Sequence, residues 1–432
     1  MKKCIVIGGG LAGLTAAAYL ANSGFSVEVI EASPKLGGRA YSFIDNQTGT
    51  IIDNGQHIMM GCYVDTLRFF KLIGAEKNLV FQKRLKVNFI KENFQVFPVK
   101  ALPIPYPFNL LSALMRYNAI SLRERMMFLK FFLKLPFVSI KKLDGINVYD
   151  WLVKENQNER IRKAFWEMLA VGALNTSIKK ASAAVFAHIL KKMFFAGNKA
   201  ATIIIPKYGL SETYCSDAVK FIESKGGKVN LLEEVKSIKV DSGRVNELIT
   251  SKRIIPDFDF VVSAVPHYSI KKLLGDDGLK KDLEFCYSTI LSIHLWIKGD
   301  LLKDDFYGLI NSSVHWIFNH KDHLTLVISD ANNLNEKSKE EIFELAAGEL
   351  ERFAGINRSR IISYKIIKEK RATFVPTSEI INRRPKTKTD WNNFLFAGDW
   401  IDTGLPSTIE SAVKSGRMAS DMITKLQGLG IN

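Results

Sequence analysis

The hydrophobic pattern changes period along the chain. Cys4–Ile7 is a short unbroken apolar run, Leu11–Asn22 has helix-forming composition, and Ser26–Ile30 is apolar and β-branched again. This order predicts a strand, a tight turn, a helix and a second strand. Val64–Ile73 has helical spacing, and Leu85–Pro98 reads as a pair of short strands. The prolines from Pro98 to Pro107 mark an irregular crossing. Tyr149–Lys154, Arg160–Leu174 and Ala181–Phe195 predict helices, and Pro206–Leu210 opens another that runs to about Glu223.

Gly226–Val229 leads into a strand, Val235–Val240 and Val245–Ile249 predict a hairpin, and Phe258–Pro266 a buried strand. Ser288–Ile297 alternates. Thr289, Leu291, Ile293 and Leu295 fall on one face, and Ile290, Ser292, His294 and Trp296 on the other. Val314–Phe318 and His323–Ser329 continue in that style, so an antiparallel sheet is expected. His294 and Trp316 either line a pocket or pack within the sheet, and packing is the simpler expectation. Glu340–Phe353 is an amphipathic helix and Ile361–Glu369 a strand. The chain closes with a buried strand, Asn393–Trp400, and a helix from Thr408 to about Leu426.

The first turn carries chemistry. Gly8, Gly10 and Gly13 stand at GxGxxG spacing, with Leu11 and Ala12 opening the helix. Gly8 permits the sharp turn, Gly10 lets a pyrophosphate approach bare backbone, and Gly13 lets helix and strand pack closely. Phosphates then meet a helix N-terminus, whose free N–H groups and dipole favour negative charge. Glu31, followed by Ala32, ends the second strand, where its carboxylate can accept both ribose hydroxyls of an adenosine. The apolar run behind Lys2 and Lys3 also resembles the start of a secretory signal, but the ordered glycines and the charged Glu28 and Glu31 argue against that.

Composition narrows the picture. At 432 residues and 47% hydrophobic content the chain is long enough for two domains. A formal charge of +16 asks for an explanation, with nucleic acid and an anionic membrane surface as candidates. With no zinc-spaced cysteines, no aromatic-basic RNA motif and no basic tail, nucleic acid is not expected, which leaves an anionic membrane surface or a lysine-rich bias of the proteome as the source of part of the excess. Cys4, Cys62, Cys215 and Cys286 are scattered without a CxxC, so neither a disulfide framework nor a metal centre is expected, and a reducing cytoplasm fits. No segment is apolar over the 18 residues a spanning helix needs; Met126–Val138 is broken by Lys130, Lys134 and Pro136. Leu110–Leu143 mixes Leu, Met and Phe with Arg116, Arg123, Arg125, Lys130, Lys134, Lys141 and Lys142. It is either a face lying in the lipid interface or a helical lid packed on its own domain. The lid explains the apolar residues but not the cations around them.

The turn Leu36-Gly37-Gly38-Arg39, close behind Glu31, resembles the flavoprotein superfamily of amine oxidases, phytoene desaturases and Rab escort-type proteins. Gly398-Asp399 at the end of the last strand completes that outline. The run from Ala397 to Gly416, AGDWIDTGLPSTIESAVKSG, resembles the hydroxysqualene dehydroxylase family, also called squalene-associated FAD-dependent desaturases. So do Ala173–Ser177, Ala181, Ser182, Phe186, Pro206, Gly209 and Leu210.

The resemblance spans essentially the whole chain. It implies an α/β fold: a Rossmann-like FAD-binding domain of the glutathione reductase type, amine oxidase-like, with a discontinuous α+β substrate domain. The expected FAD segments are 1–66, 206–275 and 386–432; the substrate domain, with its helical lid, takes 67–205 and 276–385. Arg39 would contact the FAD pyrophosphate beside Gly38, Gly55 would give the ring room, and Val235 would lend its backbone to the adenine. Asp399 would accept from ribityl hydroxyls. Thr408 and Ile409, behind Ser407, would turn their N–H groups to the flavin N1–C2=O edge. His57 would face the isoalloxazine or be hydrogen-bonded at a loop end. Ser407 and Ser411 stand where the family pattern has Ala and Gly, both still small.

Reduced FAD would be the hydride donor, with NAD(P)H a candidate source of electrons, converting hydroxysqualene to squalene for hopanoid or related lipids. No catalytic acid transfers from the family, which leaves His57, Trp400 and Asp402 as candidates. The implied setting is the cytoplasm, peripheral on the inner face of the membrane, with a long-chain isoprenoid as substrate and other squalene-pathway enzymes as candidate associates. The alternatives are a carotenoid-type desaturase and a non-catalytic prenyl-lipid escort. An amine oxidase fits less well, since Ser288–Trp296 carries no lysine and no cysteine stands in a covalent-flavin context.

Overall fold

The computed structural model describes residues 1–275, 284–300 and 302–428. Residues 276–283 and 301 of the expected substrate segment, and 429–432 of the last FAD segment, lie outside the described residues.

Lys3–Ile7 is the middle strand of a five-stranded parallel sheet, with Ser26–Ile30 then Lys228–Asn230 on one side and Phe260–Ser263 then Phe394–Phe396 on the other. Cys4, Ile5 and Val6 have no exposed surface, as a parallel sheet covered on both faces requires. The helices Leu11–Asn22 and Ile409–Leu426 pack on each other over this sheet. Glycine makes both contacts possible. A Cβ on Gly13 would stand 1.9 Å from the Gly8 carbonyl oxygen, and one on Gly416 would stand 2.2 Å from that of Ala12. Both ends of the chain therefore build one layer.

A seven-stranded sheet forms the second centre. Its order is Ile361–Phe374, Tyr287–Ile297, Leu324–Ile328, Trp316–Asn319, Phe306–Leu309, Lys86–Lys91 and Gln95–Lys100. Leu291, Ile293 and Leu295 pack with Ile342, Ala346 and Leu350 of the helix Lys339–Ala354. Ile290 therefore belongs to the opposite face, with Ser292 and His294. A register shift between Ser288 and Ile290 interrupts the expected alternation at Thr289.

The structure departs from the sequence pattern in three places. Ile203–Pro206 is a strand between Met59–Met60 and Leu79–Phe81, so Pro206 ends a strand and the helical stretch begins at Leu210. The expected hairpin Lys86–Lys91 and Gln95–Lys100 joins the large sheet through a parallel pairing with Phe306–Leu309. Leu110–Leu143 is divided between two helices, Phe108–Arg116 and Leu122–Lys134, and short 3-10 turns. Phe128, Phe131 and Phe132 of the second helix are buried against Trp166, Trp151 and Phe194. Leu122, Met126, Leu133 and Phe137 of the same stretch face outward, Phe137 at 87% exposure. Among the described residues no helix is long and apolar enough to cross a membrane.

Candidate active site

The glycine turn folds as its sequence requires. Gly8 has φ of +103°, which a glycine adopts without strain, and Gly10 precedes the helix whose first turn faces a cavity. Gly37 donates its N–H to the Gly9 carbonyl at 3.0 Å, so the GG-R turn is fastened to the first turn. Gly10 and Gly38 present bare backbone to each other; a Cβ on Gly38 would lie 3.2 Å from the Gly10 Cα. The Glu31 carboxylate accepts the Gly9 N–H at 2.6 Å and the Ser33 N–H at 2.8 Å. A carboxylate has about four acceptor sites, so capacity for ribose hydroxyls remains.

From the other end of the chain, Asp399 accepts from Arg39 with one oxygen and from the Ser407 hydroxyl with the other. Arg39 also donates to the Ala372 carbonyl at 3.0 Å. Thr408 caps the C-terminal helix, its hydroxyl accepting the Ser411 N–H at 3.2 Å. The first-turn N–H groups of that helix, Ile409 among them, lack intrahelical acceptors and open on the same cavity.

That cavity, about 770 Å3, is within the size range of small-molecule sites, roughly 300–1,000 Å3. It is lined by Gly8, Gly10, Leu11, Ala12, Glu31, Ala32, Gly38, Arg39, Gly55, His57, Val235, Gly398, Asp399, Ser407, Thr408 and Ile409. Of the residues expected to hold the cofactor, Gly13 alone does not line it. Its part is the helix–strand packing described above. The facing glycine backbones fit an extended dinucleotide, and so does the pair of buried, unpartnered polar atoms beside Gly55, Gln56 Oε1 and Ser292 Oγ. Bound FAD would therefore be held by Glu31, the Gly10–Gly38 cradle, Arg39, Asp399 and the start of the C-terminal helix.

Past Gly55 the cavity turns apolar. Phe89, Leu114, Phe132, Phe165, Trp316 and Phe318 are among its walls. Trp316 thus lines the pocket rather than simply packing, its indole 3.4 Å from the position of a Cβ on Gly172. His294 does pack. It is buried, its Nδ1 is 2.9 Å from the Thr325 hydroxyl, and its ring lies against His323.

The three catalytic candidates fare differently. The His57 imidazole lines the cavity and has no hydrogen-bond partner among the described residues; burial and the nearby Arg39 charge depress its pKa to about 4, so the ring is neutral. Trp400 also lines the cavity, but its Nε1–H is spent on the Val265 carbonyl at 3.0 Å and its ring is buried against Phe396. Asp402 is not brought to the cavity. Asp402 stands exposed on the loop ahead of Gly404, 3.7 Å from the buried Arg384 guanidinium. Sequence reasoning missed Gln56, Ser292 and Glu369, which lie among or beside the lining residues. Glu369 sits in the charged run Lys368–Arg371, which gives no signal of an inward-facing carboxyl.

The chain matches the family model for flavin containing amine oxidoreductase over residues 11–424. It is 32% identical to the hydroxysqualene dehydroxylase of Rhodopseudomonas palustris, over 98% of this chain and 99% of that protein. It is 28% identical to the hydroxysqualene dehydroxylase of Zymomonas mobilis subsp. mobilis, with the same coverage. Among solved structures, cyclohexylamine oxidase from Brevibacterium oxydans IH-35A superposes with a TM-score of 0.71 at 15% identity, over 99% of each chain, a likeness of fold alone.

Proposed function

The chain belongs to the flavin containing amine oxidoreductases and, within them, to the hydroxysqualene dehydroxylase family, and from that premise we propose that it converts hydroxysqualene to squalene. It is an FAD-dependent oxidoreductase of isoprenoid substrates. When bound and reduced, FAD supplies a hydride at its N5. The residues of this chain have three tasks: to hold the dinucleotide, to seat a long hydrocarbon and to exclude water. The observation that carries the reading is the continuity of one cavity, with nucleotide-type residues at one end and an almost wholly apolar wall from Phe89 to Trp316 at the other.

A thirty-carbon chain gains about 0.8 kcal/mol for each CH₂ buried in such a wall. The same wall keeps water from recapturing an allylic cation left when a hydroxyl departs. The positive first turn of Ile409–Leu426 would favour negative charge on a flavin held there, which suits a hydride donor. Purified enzyme given hydroxysqualene under reducing conditions, and phytoene with an electron acceptor, separates this reading from the desaturase. Squalene from the first is expected. Conversion of phytoene alone overturns the proposal.

The reading extends to a membrane surface as partner. Leu122, Met126, Leu133 and Phe137 form one exposed apolar stripe, with Arg123 and Lys130 exposed beside it. The inner side of the same helix contributes Phe132 to the cavity wall. A helix that is greasy inside and out, and cationic at its flanks, suits transfer of substrate from lipid to cavity.

A further inference from the structure

Six carboxyl groups line the cavity, and five have protein partners. Glu31 accepts backbone N–H groups; Glu233 pairs with Arg253; Glu234 pairs with Lys236 and Lys272; Asp399 pairs with Arg39; Glu410 accepts from Asp65 and Thr66 at a helix start. Glu369 is the sixth and has no hydrogen bond or ion pair among the described residues.

Its place is specific. Glu369 lies in register with Ile290, on the sheet face that carries Ser292, and Ile290 also lines the cavity. Ser292, in the next row, has its Oγ 4.0 Å from where a Cβ on Gly55 would stand. Three residues on, the Ala372 carbonyl takes Arg39. The carboxyl therefore lines the cavity on the sheet face of Ser292, one row along from the hydroxyl that faces Gly55. A lone carboxyl on an otherwise mostly apolar sheet face serves neither the dinucleotide nor the hydrocarbon tail. It suits the one polar group of an otherwise hydrocarbon substrate.

We propose that Glu369 is the catalytic acid of the dehydroxylation, an assignment that rests on the reading above. Its carboxyl O–H donates to the substrate hydroxyl oxygen. The C–O bond breaks with its electron pair going to oxygen, which departs as water. The carbon is left as an allylic cation, which reduced FAD, when bound, would quench with a hydride. The substrate is reduced, the flavin is oxidised, and Glu369 remains as a carboxylate that stabilises the cation before regaining a proton from solvent. His57 also lines the cavity, but burial and the Arg39 charge hold its imidazole neutral, which makes it a poor proton donor.

The test is Glu369→Gln, which keeps shape and removes the acid. In anaerobic single turnover of prereduced enzyme with hydroxysqualene, the variant is expected to be at least a hundredfold slower at wild-type flavin content, with Glu369→Asp between the two. The acetate ester of the same alcohol, whose leaving group departs as an anion, is expected to be consumed at a rate within a few fold of wild type. Equal slowing on both substrates, or wild-type speed on the alcohol, overturns the assignment. A second measurement needs no turnover. A long-chain tertiary ammonium analogue should bind wild type more tightly than squalene does, and Glu369→Gln should lose that preference about tenfold; an unchanged preference also overturns it. Wild-type enzyme inert toward hydroxysqualene would defeat the proposed reaction, while the ammonium measurement would still judge Glu369.

Discussion

Arg39 and Asp399, 360 positions apart, meet as an ion pair that joins the GG-R turn to the end of the last parallel strand. Asp399→Asn preserves the shape but removes the negative charge paired with Arg39 and turns one of the two acceptor oxygens, which take Arg39 and the Ser407 hydroxyl, into an amide donor. Hydrogen bonds to charged groups contribute about 1.5–3 kcal/mol, and about 1.4 kcal/mol is tenfold in affinity. The FAD dissociation constant of the variant is expected to rise about 10- to 100-fold, read by fluorescence titration of apoprotein. Unchanged affinity would remove the pair from the cofactor site.

Gly172 gives the Trp316 indole its room, with contacts of 3.4 to 3.7 Å at the position of an added Cβ. Gly172→Val should push the indole into the apolar tunnel. KM for the isoprenoid substrate is expected to rise several fold while flavin content and spectrum stay as in wild type. Unaltered KM would mean that substrate does not pass Trp316.

Burial depresses the pKa of His57, His267, His315 and His320 to about 4 and of His294 to about 3, and it lowers those of His188 and His323. In the unfolded chain histidine titrates near 6.5, so below about pH 6.5 the unfolded state binds more protons than the folded one. This contribution is intact above pH 6.5 and is lost as pH falls from there toward 4 and 3. Asp53, pushed up to about 6 by burial, works the other way, favouring the fold as pH falls below 6. The more numerous histidines are expected to dominate, each adding a slope of at most about 1.4 kcal/mol per pH unit. Holoenzyme should melt several degrees lower at pH 5 than at pH 7. His320 stacks on His323 at 4.5 Å, beside His294. His294→Asn with His320→Asn should flatten that slope; a wild-type melting temperature indifferent to pH in this window would refute the linkage.

The outward stripe of the second lid helix makes its own prediction. Phe137→Ser with Leu133→Ser, or Lys130→Glu, is expected to reduce binding to anionic phospholipid vesicles about tenfold or more in a co-sedimentation assay without lowering flavin content. Wild-type protein that ignores such vesicles would leave the inner-face reading without support.

What was legible in the sequence was local. Gly8, Gly10, Gly13 and Glu31 lie within one strand–turn–helix–strand unit, so residue type and spacing pointed to them, whereas Gly398-Asp399 was singled out through the family resemblance. Asp402 is exposed outside the cavity although Asp399 and Trp400 before it and Leu405 after it line the wall, a change of side that residue type does not signal. The parallel pairing of Lys86–Lys91 with Phe306–Leu309 leaves no local trace, since either strand alone fits many partners. The same reason hid Glu369, whose cavity position follows from its register with Ile290 across two distant strands.

The central claim is that reduced FAD delivers a hydride to the carbon that loses its hydroxyl, inside a dry cavity. A single anaerobic turnover in D₂O, with enzyme chemically prereduced so that the exchangeable N5 position carries deuterium, tests it through the product's mass. Squalene bearing one deuterium at the former alcohol carbon is expected. Undeuterated squalene, or recovered alcohol beside flavin that remains reduced, would contradict it.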